Sequence, residues 1–396
     1  MFRAFLLCCA ILQAQPAAVT LPAIRDSVLA DIRRTPDYTC TQRIERKAKS
    51  ADTRTFETID RARFEVSFAG GKELADWIGG DPIAPDELPR LTAGMVSNSE
   101  FAMHARTLLT GSRVQFSDAA LDNAADGPSV RFDFRVPASG SDWVLSAGGR
   151  EVPVGYHGSI RVNQGTRRLT QVDIVADALP AALGYSSVSK KLVYGDVLIK
   201  GEHFVLPLSS ELLTSAPNGV ETRNEAQFSD CRPWAGAAAA ATPAGADLPD
   251  EINVELMLET AVDSDTASVG DPLVARLQQT IKRKKDVVVP KGAPVYGRIS
   301  VLEVVDGFRI VDFAFSYFEA DGKRIGLFGR SNMLEVDDRN TRGDKVLANP
   351  KMGPMSGKNV TTEFLRAPTP LQFNTRRARV PRGFKLYLRS NRVAAS

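Results

Sequence analysis

The chain has 396 residues, of which 43% are hydrophobic and 24% are charged, and its formal net charge at pH 7 is +3. This composition is that of a globular protein, and the length predicts two domains. The small net charge argues against a nucleic-acid-binding protein, in which basic residues are much more concentrated.

The amino terminus predicts an exported protein. Arg3 provides a positive charge, and residues 4–12 form an apolar core that is too short to span a bilayer. We therefore predict a signal peptide over residues 1–17, cleaved near residues 14–17, and a mature chain that is periplasmic or secreted. A buried first helix is the alternative, and the cysteines in this core leave lipidation open. No later apolar stretch is long enough to predict a transmembrane helix in the mature chain.

A run of small residues divides the chain. Residues 235–247 read AGAAAAATPAGAD, and they cannot offset the entropy cost of becoming ordered because nothing in them is large enough to bury. We predict a linker over residues 235–249. It separates an antiparallel β module with helices, at residues 18–234, from a β-barrel-like module at residues 250–396.

The cysteines predict one disulfide bond. Of the four, Cys8 and Cys9 lie in the predicted signal peptide, which leaves Cys40 and Cys231 at the two ends of the first module. Exported proteins form and keep disulfides, so we predict that these two cysteines are bridged. Two unrelated buried thiols are the alternative.

Apolar periodicity predicts the elements of the first module. Residues 20–34 have helical spacing, and a capping box at residues 97–100 opens a second helix with Phe101, Ala105 and Leu108 on one face. Short alternating strands with Gly, Pro and Asn turns follow over residues 114–228. The predicted fold class is mainly β: an antiparallel curved sheet or half-barrel with one or two helices, followed by a small β-barrel or sandwich.

The order helix, strands, helix, long meander, together with the segment VNQGTRRL at residues 162–169, resembles the half-barrel of periplasmic lipoprotein carriers and the related envelope-stress regulators. The resemblance implies a curved sheet that wraps a helix and leaves an apolar hollow for lipid chains. The resemblance does not identify any ligand-binding residue in this sequence. Phe101, Trp143 and Tyr156 could line such a hollow, or they could be ordinary core residues.

A repeated step marks the second module. Residues 289–298 read VPKGAPVYGR and residues 380–389 read VPRGFKLYLR, with five identical positions. Gly tolerates a positive φ and Pro fixes its own φ, so the step lets a strand turn sharply and resume. The repeat predicts two equivalent corners of one barrel or sandwich. Their turning residues are Pro290, Gly292, Pro381 and Gly383.

Residues 252–328 combine a strand ending in Glu-Thr, the VVVPKG step, a Gly-Arg pair and a hairpin that turns at Asp-Gly. In these features they resemble the C-terminal β-barrel of the periplasmic core component of conjugative type IV secretion channels. That family adds an apolar helical excursion that crosses the outer membrane. The corresponding residues 337–370 are polar here, so the resemblance implies the fold without the transmembrane pore.

Residues that could carry chemistry are few. The three histidines lack metal-site spacing, and the sequence contains no common catalytic motif, so we predict neither a catalytic residue, a metal site nor a cofactor. The densest basic run predicts either a solvated hairpin turn or a contact with an envelope polyanion, such as lipid headgroups or cell-wall polymer. It consists of Lys282, Arg283, Lys284 and Lys285.

These observations predict a non-enzymatic protein of the cell envelope that binds an apolar, lipid-like ligand or a protein partner. One alternative is a structural or assembly component of an envelope secretion complex. The other is a hydrolase with an unrecognised site.

Overall fold

The structure is a computed structural model that describes residues 20–79, 82–83, 103–124, 127–141, 143–147, 150–236, 252–305, 308–330, 346–347, 371–373 and 377–389. The predicted signal peptide, the predicted capping box and most of the predicted linker lie outside these residues. The described part is mainly β, with antiparallel sheets and two helices, as the alternation of apolar residues predicts.

The first module contains helices α1 (Leu21–Arg34) and α2 (Met103–Thr110). Its strands are β1 Tyr38–Lys49, β2 Glu57–Ala69, β3 Lys72–Asp76, β4 Gln115–Ala124, β5 Gly127–Val136, β6 Val144–Ala147, β7 Arg150–Pro153, β8 Tyr156–Asn163, β9 Leu169–Ala176, β10 Ser187–Ile199, β11 Glu202–Ser215 and β12 Glu221–Pro233. Ten of them form one antiparallel sheet in the order β3-β2-β1-β12-β11-β10-β9-β8-β5-β4, and β6 pairs with β7. This sheet is the predicted half-barrel.

Both helices pack on one face of the half-barrel, which we call the inner face. Ile24 and Val28 of α1 are buried there, as are Ala105 and Leu108 of α2. The helical spacing that predicts α1 therefore marks its buried stripe, because residues three and four apart lie on the same side of a helix.

Cys40 on β1 and Cys231 on β12 form the predicted disulfide, with their Cα atoms 4.1 Å apart. The two strands are direct neighbours, and their register shifts between Thr39 and Thr41. A β-bulge therefore lies at the bridge, and Asp230 takes a positive φ of 51° there. Because the cysteines are 191 positions apart, the bridge ties the first strand of the module to its last.

In the second module, the described residues form strands and no helix. They are β13 Asn253–Leu258, β14 Val262–Asp263, β15 Pro272–Leu277, β16 Ile281–Arg283, β17 Asp286–Val289, β18 Pro294–Val305, β19 Phe308–Ala320, β20 Lys323–Arg330, β21 Val346–Leu347, β22 Leu371–Phe373, β23 Arg379–Val380 and β24 Lys385–Arg389. The main sheet has the order β21-β22-β19-β18-β15-β13-β24, with β20 also paired to β19. The hairpin of β19 and β20 turns at Asp321 and Gly322, which both have positive φ. Except for β21, the polar residues 337–370 lie outside the described part.

The two copies of the repeated step have the same geometry. Gly292 and Gly383 both have φ of +86°. The N–H of Gly292 donates to the carbonyl oxygen of Leu277 at 2.8 Å, and the N–H of Gly383 donates to that of Leu258 at 2.7 Å. Each glycine thus caps the end of a neighbouring strand, β15 in one copy and β13 in the other.

The two modules meet along the edge of β2. β3 covers only the C-terminal end of that edge, and Val269 of the second module pairs further along it. The Val269 N–H donates to the Arg61 carbonyl oxygen at 2.8 Å, and its own carbonyl oxygen accepts from the Arg63 N–H at 2.7 Å. Beside these bonds, the Arg298 guanidinium lies 4.5 Å from the centre of the Trp77 ring. The contact is therefore both backbone pairing and side-chain stacking.

Candidate functional site

A pocket lies between α1, α2 and the inner face of the half-barrel. Its walls are Val28, Asp31, Ile32, Thr35, Tyr38, Phe68, Ala105, Arg106, Leu169, Tyr194, Val205, Leu206 and Pro207. All but Asp31, Thr35 and Arg106 are apolar or aromatic. Ligand pockets in proteins have this character, a mostly apolar wall with a few polar groups that fix orientation.

The pocket is nearly closed in this conformation. The void measures about 590 Å³ with its opening to solvent, and about 50 Å³ of it is wide enough for water-sized molecules. Ligand sites usually measure roughly 300–1,000 Å³. The helix side of the pocket must therefore move before a drug-sized or lipid-sized ligand can enter.

Local sequence explains how the walls converge. α1 ends at Arg34, and β1 begins at Tyr38, so the chain passes directly from the helix face to the sheet face of the pocket. Tyr194 belongs to β10, where its register with β11 shifts by one residue. Such a bulge bends a strand and redirects its side chains, which here places Tyr194 beside α2.

Two buried tyrosines give the pocket neutral polar groups. Burial raises the pKa of both Tyr38 and Tyr194 well above the usual range, and the charge of Glu73 raises each further. The Tyr194 hydroxyl is hydrogen-bonded to the backbone of Ala105 on α2. Both phenols therefore stay protonated at physiological pH, and the pocket gains polarity there without charge.

One arginine holds the C-terminal end of α1 over the pocket. Arg34 donates from Nη2 to the His203 carbonyl oxygen at 2.6 Å, and its guanidinium lies 4.7 Å from the centre of the Phe204 ring. It also pairs with Asp31 at 3.0 Å. These contacts attach the helix end to the start of β11.

The aromatic residues that the sequence suggests for the hollow lie elsewhere. Trp143 and Tyr156 are buried in the core and stack edge to face, with their ring centres 5.6 Å apart. Neither lines the pocket, and Phe101 lies outside the described residues. The walls instead come from residues that the sequence assigns only to strands and helices, and alternation alone marks them as buried.

The basic run forms the tip of the β16–β17 hairpin. Lys282, Arg283, Lys284 and Lys285 are all exposed, and Lys284 takes a positive φ of 56° in the turn. The structure thus has the solvated hairpin turn, while contact with a polyanion stays a prediction.

No metal centre is formed by the described residues: they contain no group of three or more His, Cys, Asp or Glu side chains able to hold an ion. His157 is paired at the surface, with its Nδ1 2.6 Å from Oδ1 of Asp177. Burial opposes ionisation of Asp177, but hydrogen bonds from His157 and Arg135 lower its pKa. This cluster is consistent with a surface ion-pair network.

Comparison with known protein families, curated proteins and solved structures finds no match to this chain. Within the residues described, no helix has the length and apolar character needed to cross a membrane.

Proposed function

We propose that the protein is an exported, non-enzymatic protein of the cell envelope whose first module binds an acyl chain in the pocket beneath α1. The observation that carries this proposal is the chemistry of the walls. Aliphatic and aromatic side chains from α1, α2 and the half-barrel converge on one void, with polar groups on the helices and two neutral phenols.

The wall chemistry favours a hydrocarbon chain over a peptide segment. A peptide carries a backbone donor and acceptor at nearly every residue, and each would need a partner once buried. This pocket offers such partners only at a few positions, whereas a hydrocarbon chain needs none. Each buried methylene group contributes about 0.8 kcal/mol, so a long chain could offset the cost of displacing α1.

The fold supports an opening movement of α1. Only Ile24 and Val28 of this helix are fully buried, while the other residues are partly or fully exposed. The half-barrel beneath is joined by continuous strand pairing and by the disulfide. We therefore expect ligand entry to move the helix and leave the sheet in place.

The first experiment asks whether the purified mature chain carries a lipid. Native mass spectrometry before and after solvent extraction should show the loss of a bound mass in the lipid range. A fluorescent long-chain fatty acid should then bind to the extracted protein. A stable high-mass protein complex without lipid would instead support an assembly component.

A pair of matched variants locates the binding. Val205→Trp fills the pocket from its wall, whereas Val175→Trp makes the same change on an exposed position of β9. We expect Val205→Trp to weaken binding of the fluorescent fatty acid by about tenfold or more, and Val175→Trp to leave it within about twofold. Equal binding by two folded variants would show that the acyl chain lies elsewhere.

A further inference from the structure

The face of the half-barrel opposite to the pocket carries a transverse row of hydrogen-bond donors. Arg63 on β2 lies opposite Arg43 on β1, Arg43 lies opposite Gln227 on β12, and Gln227 lies opposite Ser209 on β11. Neighbouring strands are about 4.8 Å apart, so the four side chains span roughly 14 Å. We call Arg63, Arg43, Gln227 and Ser209 the outer row.

Strand alternation separates the outer row from the pocket. Arg43 is followed by the buried Ile44, and Arg63 by the buried Phe64. Successive side chains point to opposite faces of a sheet, so both arginines face away from the core that Ile44 and Phe64 share with the pocket residue Tyr38. A ligand on this row would not compete with one beneath α1.

The row lies in an open groove of about 500 Å³. Thr41 and Ser229, which face each other on β1 and β12, add two hydroxyl groups to its lining. Leu208 and Phe228 also contribute to its walls. This volume is within the range of small-molecule sites and exceeds what a single inorganic ion needs.

The outer row contains two arginines and no carboxylate, so its positive charge is not neutralised by the row itself. Like charges directly opposite each other on neighbouring strands destabilise a sheet. Arg63 has Asp271 at 3.6 Å, beyond hydrogen-bond distance, and within the described part of the chain no carboxylate lies within ion-pair distance of Arg43. Nearby Glu65 is already paired with Arg232, at 2.8 Å.

The next row along the same face is acidic but neutralised. Glu45 pairs with Arg61 at 2.6 Å and with Lys47 at 3.3 Å, and Lys47 also pairs with Glu225 at 2.7 Å. These carboxylates therefore have cations of their own. The excess positive charge therefore stays at Arg43, because Arg63 has Asp271 as an ion-pair partner.

We propose that the outer row binds the phosphate group of a small phosphate ester, either free or as the headgroup of an anionic phospholipid. Guanidinium forks match the geometry of phosphate oxygens and bind them through paired, charge-assisted hydrogen bonds. An anion between Arg43 and Arg63 relieves their mutual repulsion, and the Gln227 amide and the Ser209 hydroxyl lie in line to contact the rest of the ester. The half-exposed Leu208 gives it an apolar flank.

The test uses the full mature chain with two probes. Glycerol 3-phosphate, measured by calorimetry against glycerol, reports the free ester. Sedimentation with phosphatidylcholine vesicles that contain phosphatidylglycerol, against vesicles of phosphatidylcholine alone, reports the headgroup. Binding of either probe should weaken as salt is raised, because exposed charges are screened.

Two matched variants assign the site. Arg43→Gln removes the unbalanced charge, and Arg131→Gln makes the same change at an exposed position on the same face of the sheet, on β5. Arg43→Gln should weaken binding by about tenfold or more, and Arg131→Gln by less than about twofold. Arg43→Lys, which keeps the charge but loses the fork, should lie between the wild type and Arg43→Gln.

The outcomes distinguish a free phosphate ester from a phospholipid headgroup. Arg43-dependent binding of glycerol 3-phosphate alone identifies a free ester, and Arg43-dependent binding of vesicles alone identifies a headgroup. Binding of neither probe, or binding that Arg43→Gln leaves unchanged, overturns the proposal. None of these results bears on the acyl-chain pocket, because its probe and variants are different.

Discussion

A side-chain carbon at Gly270 would lie 2.0 Å from the backbone oxygen of Arg63 and 2.7 Å from the Trp77 ring. Only glycine, which has no Cβ atom, lets the second module come this close to β2. Gly270 also has φ of +90°, a conformation that other residues rarely adopt. The approach allows the neighbouring Val269 to pair with the backbone of Arg61 and Arg63.

We therefore expect Gly270→Ala to separate the modules. The new methyl group meets backbone, which cannot yield locally, so the Val269 pairing and the Trp77–Arg298 stacking are lost. Scanning calorimetry should show two transitions in place of one, and small-angle scattering should show a larger radius of gyration. Gly292→Ala is the control, because its φ of +86° brings the same strain of roughly 1–3 kcal/mol with no atom within 4 Å. If both variants unfold and scatter alike, Gly270 does not hold the modules together.

A second prediction concerns the bridge between Cys40 and Cys231. A cross-link over 191 positions restricts the unfolded chain strongly, and the chain-entropy estimate of its contribution is about 5 kcal/mol. Reduction, or a double change to alanine, should therefore lower the free energy of unfolding of the first module by a few kcal/mol. Chemical denaturation with and without reductant measures this difference. Intact mass should rise by about two daltons on reduction, and an unchanged mass would show that the thiols were free.

Periodicity predicts much of this fold because it depends on neighbours in sequence. The spacing of Ile24 and Val28 marks the buried stripe of α1, and the repeated step marks two corners with equal φ at Gly292 and Gly383. β10 runs on past Tyr194 to Ile199, although its register with β11 slips at Tyr194 and interrupts the alternation there. A bulge of this kind has no reliable signal in a single strand.

The sites depend on partners far apart in sequence, which periodicity does not identify. Alternation shows that Arg43 and Arg63 face away from the core, but their direct opposition follows from the register of β1 with β2. The pocket likewise needs Tyr38, Tyr194 and α1 to converge, and that depends on how the sheet curls. Of the aromatic residues that the sequence suggests for the hollow, Trp143 and Tyr156 lie in the core and not in the pocket walls.

A third prediction concerns acid. A hydrogen bond from Arg377 is the main reason why the pKa of Asp263 falls to about 2, and Arg379 adds to the effect. A carboxyl group whose pKa is lower in the folded than in the unfolded state stabilises the fold above the unfolded value, near pH 4. That contribution is lost as the pH falls from about 4 through about 2.

Asp263→Asn should therefore lower the unfolding temperature at pH 7 and have little effect below pH 2. The loss arises in the second module, where β14 pairs with β23. There Asp263 on β14 forms ion pairs with Arg379 on β23 and with Arg377, which lies just before that strand. Thermal unfolding between pH 7 and pH 2 measures it. Asp286→Asn, at the exposed hairpin tip, is the control. Parallel pH profiles for Asp263→Asn and the wild type would contradict the assignment.

The last prediction concerns Arg34, which joins the end of α1 to His203 and Phe204. Arg34→Ala removes the hydrogen bond to the His203 carbonyl oxygen, the cation–π contact with Phe204 and the ion pair with Asp31. The two contacts to β11 are together worth about 1–2 kcal/mol at a half-exposed position. Hydrogen exchange of the α1 amides should accelerate by roughly tenfold, since each 1.4 kcal/mol changes an opening equilibrium by that factor. Uptake of the fluorescent fatty acid should accelerate with it. Arg33→Ala is the matched control on the same turn of the helix. Faster exchange without faster uptake would show that α1 opens but does not gate the pocket, and unchanged exchange would show that Arg34 does not hold the helix.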